Sequence, residues 1–195
     1  MGQIQVEKNV GGIEGLHIIT PAVHGDNRGY FTETYNQRDM HEAGLDMVFV
    51  QDNESSSTKG VLRGLHFQKQ FPQGKLVRVI KGAVYDVAVD LRADSKTYGK
   101  WYGVELTEDN HKQFYISEGF AHGFLVLSDE AEFAYKCDDI YNHSAEGGLK
   151  YDDPDVAIEW PLGDLRLDEL LTSEKDANWP SLQELKNTEL FKNLK

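Results

Sequence analysis

Only one cysteine, Cys137, occurs in the 195 residues. No internal disulfide can form, and the lone thiol reads as a small buried hydrophobe. Such a chain is compatible with a reducing cytoplasm, which is the expected location. No run of about 18 apolar residues is present, so no membrane span is expected. The opening MGQIQVEKNVGGIEG lacks the apolar stretch and cleavage pattern of a secretory signal. It also lacks the Ser or Thr that would complete a myristoylation motif. Positive charge is scarce: 20 Lys and Arg stand against 33 Asp and Glu, a net of −13. A nucleic-acid partner would need a basic face for the phosphate backbone, so none is expected. A small anionic ligand remains compatible, provided a few cations gather at one place.

The chemistry-bearing motifs are as sparse. There is no G-x-G-x-x-G, no P-loop, no H-E-x-x-H and no cysteine cluster. Jelly-roll enzymes often hold a metal with an H-x-H pair, yet GLHFQ carries one histidine with no partner two residues away. No metal and no cofactor are therefore expected. Alternating βα units are missing, which argues against a dinucleotide-binding domain, and no internal repeat or low-complexity linker divides the chain.

What is present is a series of short segments rich in Val, Ile, Phe and Tyr with turns between them, from about residue 13 to 160. Val48–Gln51, Val61–Phe67, His122–Leu127 and Glu132–Cys137 are examples, and KLVRVIKGAVYDVAVDLR reads as two strands meeting at Lys81-Gly82. Asn36 is placed to cap a short helix over QRDMHEA. From about 165 to 195 the pattern turns helical. Ser173 precedes Glu174 and Asp176 as a helix start would, and LQELKNTELFKNLK fits one amphipathic helix bearing Leu182, Leu185, Leu190 and Phe191. The expectation is a single domain: a jelly roll or barrel with a helical tail.

An enzyme without metal or cofactor must rely on proton transfer and fixed charge. Proton abstraction beside a carbonyl needs a base, an acid, and a cation or donor for the enolate oxygen. Of seven histidines, His66 and His122 lie in strand-like segments beside glycine, where bulges and close approaches occur. Strict alternation would put Arg63 and His66 on opposite faces; a bulge at Gly64 would bring both to one side. Tyr135 shares strand parity with Phe133 and Cys137. Lys75 and Arg63 offer positive charge, and Asp86 shares a face with Val84, Ala88 and Asp90. Periodicity alone leaves each of these open between site, core and solvent.

Taken together, GDNRGYFTETYN, VQDNESSSTKGVLRGLHFQ, QGKLVRVIKGAVYDVAVDLR, SEGFAHGF, EFAYK and EGGLKYDDP resemble the dTDP-4-dehydrorhamnose 3,5-epimerases, in that family's order. The resemblance implies a jelly-roll, cupin-like fold, a homodimer, and a dTDP-sugar substrate, dTDP-4-dehydro-6-deoxy-D-glucose, inverted at carbons 3 and 5. Residue by residue, it implies His66 as proton acceptor, Tyr135 as proton donor, Lys75 at the enolate, and Asp176 as the partner of the histidine. It further implies substrate binding by Arg28, Glu33, Gln51, Asp52, Asn53, Arg63, His122, Glu146 and Lys175, with Tyr141 stacking on the thymine. Arg28, Arg63 and Lys175 would then gather the scarce positive charge at the diphosphate. A relative that epimerises one carbon, a 3,4-ketoisomerase of the same broad fold, and a sugar-binding domain without catalysis are the competing expectations.

Overall fold

Period-two alternation sends successive side chains to opposite faces of a strand, so a strand buried on both faces is apolar at nearly every position. Phe120–Val126 is such a strand, buried along its whole length. A computed structural model describes residues 4–188 and 190–192. It contains strands β1 (Ile4–Lys8), β2 (Leu16–Pro21), β3 (Val23–Asp26), β4 (Gly29–Thr32), β5 (Gln51–Thr58), β6 (Leu62–Gln68) and β7 (Lys75–Lys81). These are followed by β8 (Ala83–Asp90), β9 (Trp101–Thr107), β10 (Gln113–Ile116), β11 (Phe120–Val126), β12 (Glu130–Cys137) and β13 (Glu146–Gly148). The helices are α1 (Gln37–Glu42), α2 (Glu174–Ala177) and α3 (Leu182–Lys186).

Two antiparallel sheets form a jelly-roll sandwich, as expected. One has the order β1-β2-β10-β7-β12-β5 and the other β13-β6-β11-β8-β9, while β3 and β4 make a separate hairpin. Between the sheets lie Val77, Val79, Phe114 and Phe133 from the first, and Val84, Ala88, Leu106, Phe124 and Val126 from the second. The outer face of the second sheet, with Leu62, Leu65, Phe67, Val87 and Val89, is covered by Trp160, Leu170, Leu182 and Leu185 from the C-terminal segment. Met40, Leu45 and Met47, around α1, cover Ile19 and Leu76 on the outer face of the first. Burying each large apolar side chain stabilises by about 1.5–3 kcal/mol, so these layers tie the tail to the body firmly.

Two expectations are corrected. The segment Val48–Gln51 is not a strand, and Val48 and Val50 stand exposed. Pairing starts at Gln51 and continues through the polar DNESSST, because an edge strand needs backbone partners and a tolerable face more than apolar side chains. The two strands meeting at Gly82 form as expected, and they belong to different sheets: β7 pairs with β10 and β12, whereas β8 pairs with β11 and β9. The chain changes sheets there. Finally, the tail is not one amphipathic helix. It ends its helical run at Lys186, with Asn187 as the cap residue. Beyond it, the Leu190 carbonyl accepts from the Ala93 amide, and Phe191 packs edge-on against Phe67, contacts a continued helix would not make. Glu189 and residues 193–195 of that expected helix, and residues 1–3 of the opening motif, lie outside the described residues. The caps at Asn36 and Ser173 form as expected, each accepting from backbone amides of its helix. Among the described residues no helix is long and apolar enough to cross a membrane.

Candidate active site

The site begins at a bulge. Across β6 and β11, His66 faces His122 and Arg63 faces Phe124, so Gly64 and Leu65 together oppose the single residue Gly123. The extra residue resets the alternation, as the sequence suggested. Leu62, Leu65 and Phe67 all join the outer cluster, while Arg63 and His66 both turn inward. Arg63 donates from Nε to Ser57 Oγ at 3.0 Å on the opposite sheet. Glycine is required here: Gly64 has φ +127, and a Cβ on it would stand 2.6 Å from the Gly123 Cα.

The bulge also frees a backbone amide. Gly64 N–H donates to Asp176 Oδ2 at 3.2 Å, and His66 Nε2 lies 2.6 Å from Asp176 Oδ1. Asp176 sits on α2, whose start Ser173 caps by accepting from the Asp176 amide at 3.0 Å. Asp176 is 4% exposed. Burial by itself pushes this carboxyl up, but the donors His66, Gly64 and Trp179 outweigh it and hold the group below the ordinary aspartate value. An ionised carboxylate only accepts, so the imidazole proton sits on Nε2 and Nδ1 carries the lone pair.

Around His66 is a cavity of about 350 Å³, lined among others by Gln51, Asn53, Lys75, Tyr135, Cys137, Tyr141 and Glu146. His66 comes from the five-stranded sheet, Tyr135 and Lys75 from the six-stranded one. The two candidate proton carriers therefore stand on opposite walls. Burial raises the Tyr135 phenol, and Cys137 adds to this while Arg63 opposes it, so the hydroxyl keeps its proton. Burial lowers Lys75 below an ordinary lysine, with Cys137, Asp86 and Glu146 pulling back toward the charged form. Burial pushes the Cys137 thiol up to about 11, so it is a neutral wall of the cavity. Behind Lys75, His122 Nε2 lies 3.0 Å from both oxygens of Asp86. Burial dominates in both and moves them toward neutrality, His122 down and Asp86 up.

At the mouth, Tyr141 is 46% exposed and its hydroxyl donates to Glu146 Oε2 at 3.1 Å. Gln51 Oε1 accepts from the Tyr141 amide at 2.8 Å, which fixes the ring's starting point. Lys175 Nζ lies 2.7 Å from Glu146 Oε1. That hydrogen bond raises Lys175; Glu146, pushed up by burial, is brought below its usual value by Lys175 and Tyr141.

Eleven of the fourteen residues singled out in the sequence lie in β-strands or the tail, and Tyr141 lies in the loop after β12, but not all face the cavity. Strand alternation turns Asp52 away from its neighbours Gln51 and Asn53, out to a 2.8 Å contact with Lys136. Arg28 lies on the exposed β3–β4 hairpin, paired with Asp26, and Glu33 accepts from Asn36 Nδ2 at 2.8 Å; neither lines the cavity of its own chain. Two contributors carried no signal in the sequence. Trp179 donates from its indole to Asp176 Oδ1 at 3.1 Å. Gln68, 4% exposed, donates to the Phe71 and Ile140 carbonyls and accepts from the Asn142 amide, which ties the loops of the mouth together. Among the described residues no group of three His, Cys, Asp or Glu side chains is placed to hold a metal ion.

Residues 11–184 match the family model described as dTDP-4-dehydrorhamnose 3,5-epimerase. A protein of that name from Methanothermobacter thermautotrophicus is 56% identical over 172 residues, 88% of this chain and 92% of the relative. The crystal structure of a dTDP-6-deoxy-D-glucose-3,5-epimerase from Legionella pneumophila, in complex with dTDP-4-keto-L-rhamnose, superposes with a TM-score of 0.91 at 45% identity, covering 99% of this chain and 100% of that one. A 3'-monoepimerase from Streptomyces bikiniensis, in complex with dTDP-quinovose, superposes with a TM-score of 0.83 at 32% identity, covering 92% and 89%. With most of its length matched at this level, the chain belongs to the dTDP-4-dehydrorhamnose 3,5-epimerase family.

Proposed function

We propose that this chain, acting as a single epimerase domain, inverts carbons 3 and 5 of dTDP-4-dehydro-6-deoxy-D-glucose to give dTDP-4-dehydro-L-rhamnose, a step in dTDP-L-rhamnose biosynthesis. One observation carries the reading: a histidine held by a buried carboxylate and a protonated tyrosine face each other from opposite sheets, with a half-buried lysine on the same cavity. Inversion needs removal of a proton from one face and delivery to the other. His66 Nδ1 takes the proton beside the ketone, Lys75 offsets the charge on the enolate oxygen at carbon 4, and Tyr135 protonates the opposite face. Both carbons flank the same carbonyl, so the same groups serve each in turn. Arg63 and Lys175 bind the diphosphate, Tyr141 stacks on the thymine, and Gln51, Asn53, His122 and Glu146 complete the pocket. No step draws on a metal or cofactor.

The same fold houses a relative named for one-carbon epimerisation, so the number of carbons inverted is the point to measure. In D₂O, NMR of dTDP-4-dehydro-6-deoxy-D-glucose with this protein is expected to show deuterium entering at carbons 3 and 5. Exchange at one carbon alone would leave a monofunctional epimerase, and no exchange would leave a binding domain.

The homodimer belongs to the same proposal. Tyr30 and Phe31 on the β3–β4 hairpin are 62% and 68% exposed, more apolar surface than a free arm sustains, and Arg28 at its tip has no role in its own cavity. In the dimer the arm reaches the partner's mouth, bringing Arg28 and Glu33 to the bound nucleotide, and Asp52 acts from the edge strand. Arg28→Ala is expected to raise KM about tenfold or more, the worth of a charge-assisted phosphate contact, with kcat nearly kept. Chains carrying Arg28→Ala mixed with chains carrying His66→Asn are expected to regain wild-type KM at one site per mixed dimer. Failure of that rescue would return Arg28 to its own chain.

A further inference from the structure

We propose that Trp179 is the positioning residue of the His66–Asp176 pair and couples it to Lys175, a role that rests on His66 being the base. Three contacts meet on this one ring. Its Nε1–H donates at 3.1 Å to Asp176 Oδ1, the same oxygen that takes His66 Nε2 at 2.6 Å. Its plane stands edge-on to the imidazole, with centroids 6.2 Å apart. Lys175 Nζ lies 5.8 Å from its centroid, within cation–π range.

The strand beneath is shaped for this ring. Gly148 of β13 pairs with His66 of β6, and a Cβ on Gly148 would stand 2.2 Å from the Trp179 ring. The indole thus occupies the space over position 148, beside His66, where any other residue would put its side chain. α2 has only four residues, Glu174–Ala177, too short to hold Asp176 in place by itself. The indole packed on Gly148 anchors it from the next turn.

The hydrogen bond also tunes the pair. Donation from the indole spreads the charge of Asp176, so removing it makes the carboxylate a stronger partner for the imidazolium. The other charged and titratable groups facing the pair are Glu146 from β13, His122 from β11 and Lys175 from α2, and they stay in place in the variants below.

Trp179→Phe keeps a ring on Gly148 and beside Lys175 but loses the N–H. It is expected to lower kcat about tenfold, change KM less than twofold, and move the acid limb of kcat up by about half a pH unit. Trp179→Ala, which also frees Lys175, is expected to raise KM as well. Gly148→Ala is expected to reproduce the kcat loss from one strand away, and to cost little more when made in Trp179→Ala, where there is no ring to displace. Thermal unfolding and dTDP binding of each variant report its folding. Wild-type kcat and an unmoved acid limb in Trp179→Phe would overturn the inference, as would a Gly148→Ala penalty that persists without the ring. If His66→Asn keeps its turnover, the base assignment itself fails; if His66→Asn is dead and Trp179→Phe is normal, only the role of Trp179 fails.

Discussion

His66→Asn is expected to lower turnover about 10³-fold or more while leaving affinity for dTDP within twofold. Asparagine is too short to replace the bond from Nε2, but Asp176 keeps Gly64 and Trp179 as donors, so the tail stays closed onto β6 while no basic nitrogen faces the sugar. Asp176→Asn is expected to approach the same loss by another route. The amide has one acceptor oxygen where three donors meet two, so either Gly64 or the His66 and Trp179 pair loses its acceptor, and without the negative charge beside it the imidazole is no longer an effective base. The two losses are expected not to add in the double variant, since both remove one base. Steady-state kinetics with the downstream reductase and NADPH, together with deuterium wash-in, measures both. Wash-in at near wild-type rates at carbon 5 in His66→Asn would move the base elsewhere.

The second large effect is expected at Lys75. Among the described residues no hydrogen bond or ion pair involves its ammonium, although Asp86, Cys137 and Glu146 surround it. A cation in a partly desolvated cavity without a fixed partner is ready to answer charge that develops only in the enolate. Lys75→Met keeps the stem and is expected to lower kcat about 10²–10³-fold, the range for removing one such group. The pH dependence follows from the directions of the shifts. Lys75, lowered by burial, is charged below its depressed value and loses its charge as the pH rises through it. Tyr135, raised by burial, stays protonated beyond the ordinary tyrosine range. The alkaline limb of kcat therefore belongs to Lys75, and Lys75→Arg, with a guanidinium that does not titrate there, is expected to move that limb upward even where its rate is lower. An alkaline limb unchanged in Lys75→Arg would assign it to Tyr135.

How much of this was legible beforehand differs by element. Strands with alternating or continuous apolar residues, such as β8 and β11, stood out because their burial is written in local composition. β5 and β13 did not: DNESSST and EGG hold few apolar residues, and they pair because neighbours distant in the chain offer backbone partners. The bulge at Gly64 was legible because glycine between Arg63 and His66 was the one place where the alternation could reset, and the shifted register bears it out. Asp52 shows the opposite case. It sits in the same motif as Gln51 and Asn53, yet a motif has no faces until the strand exists, and alternation then turns it outward.

By itself, the sequence determined the fold class, the family, the acidic balance of the chain and, through the family resemblance, His66, Tyr135 and Lys75 as candidate proton carriers and cation. These rest on composition, on local periodicity and on motifs carried within single segments. Only the tertiary structure decided that His66 and Tyr135 stand on opposite walls, that Arg63 turns inward with His66, and that Trp179, 113 positions beyond His66, shares its carboxylate oxygen. Such relations depend on which strands join which sheet and on where a short tail helix lands on the body. They are set by long-range packing, and no local stretch of the chain carries them.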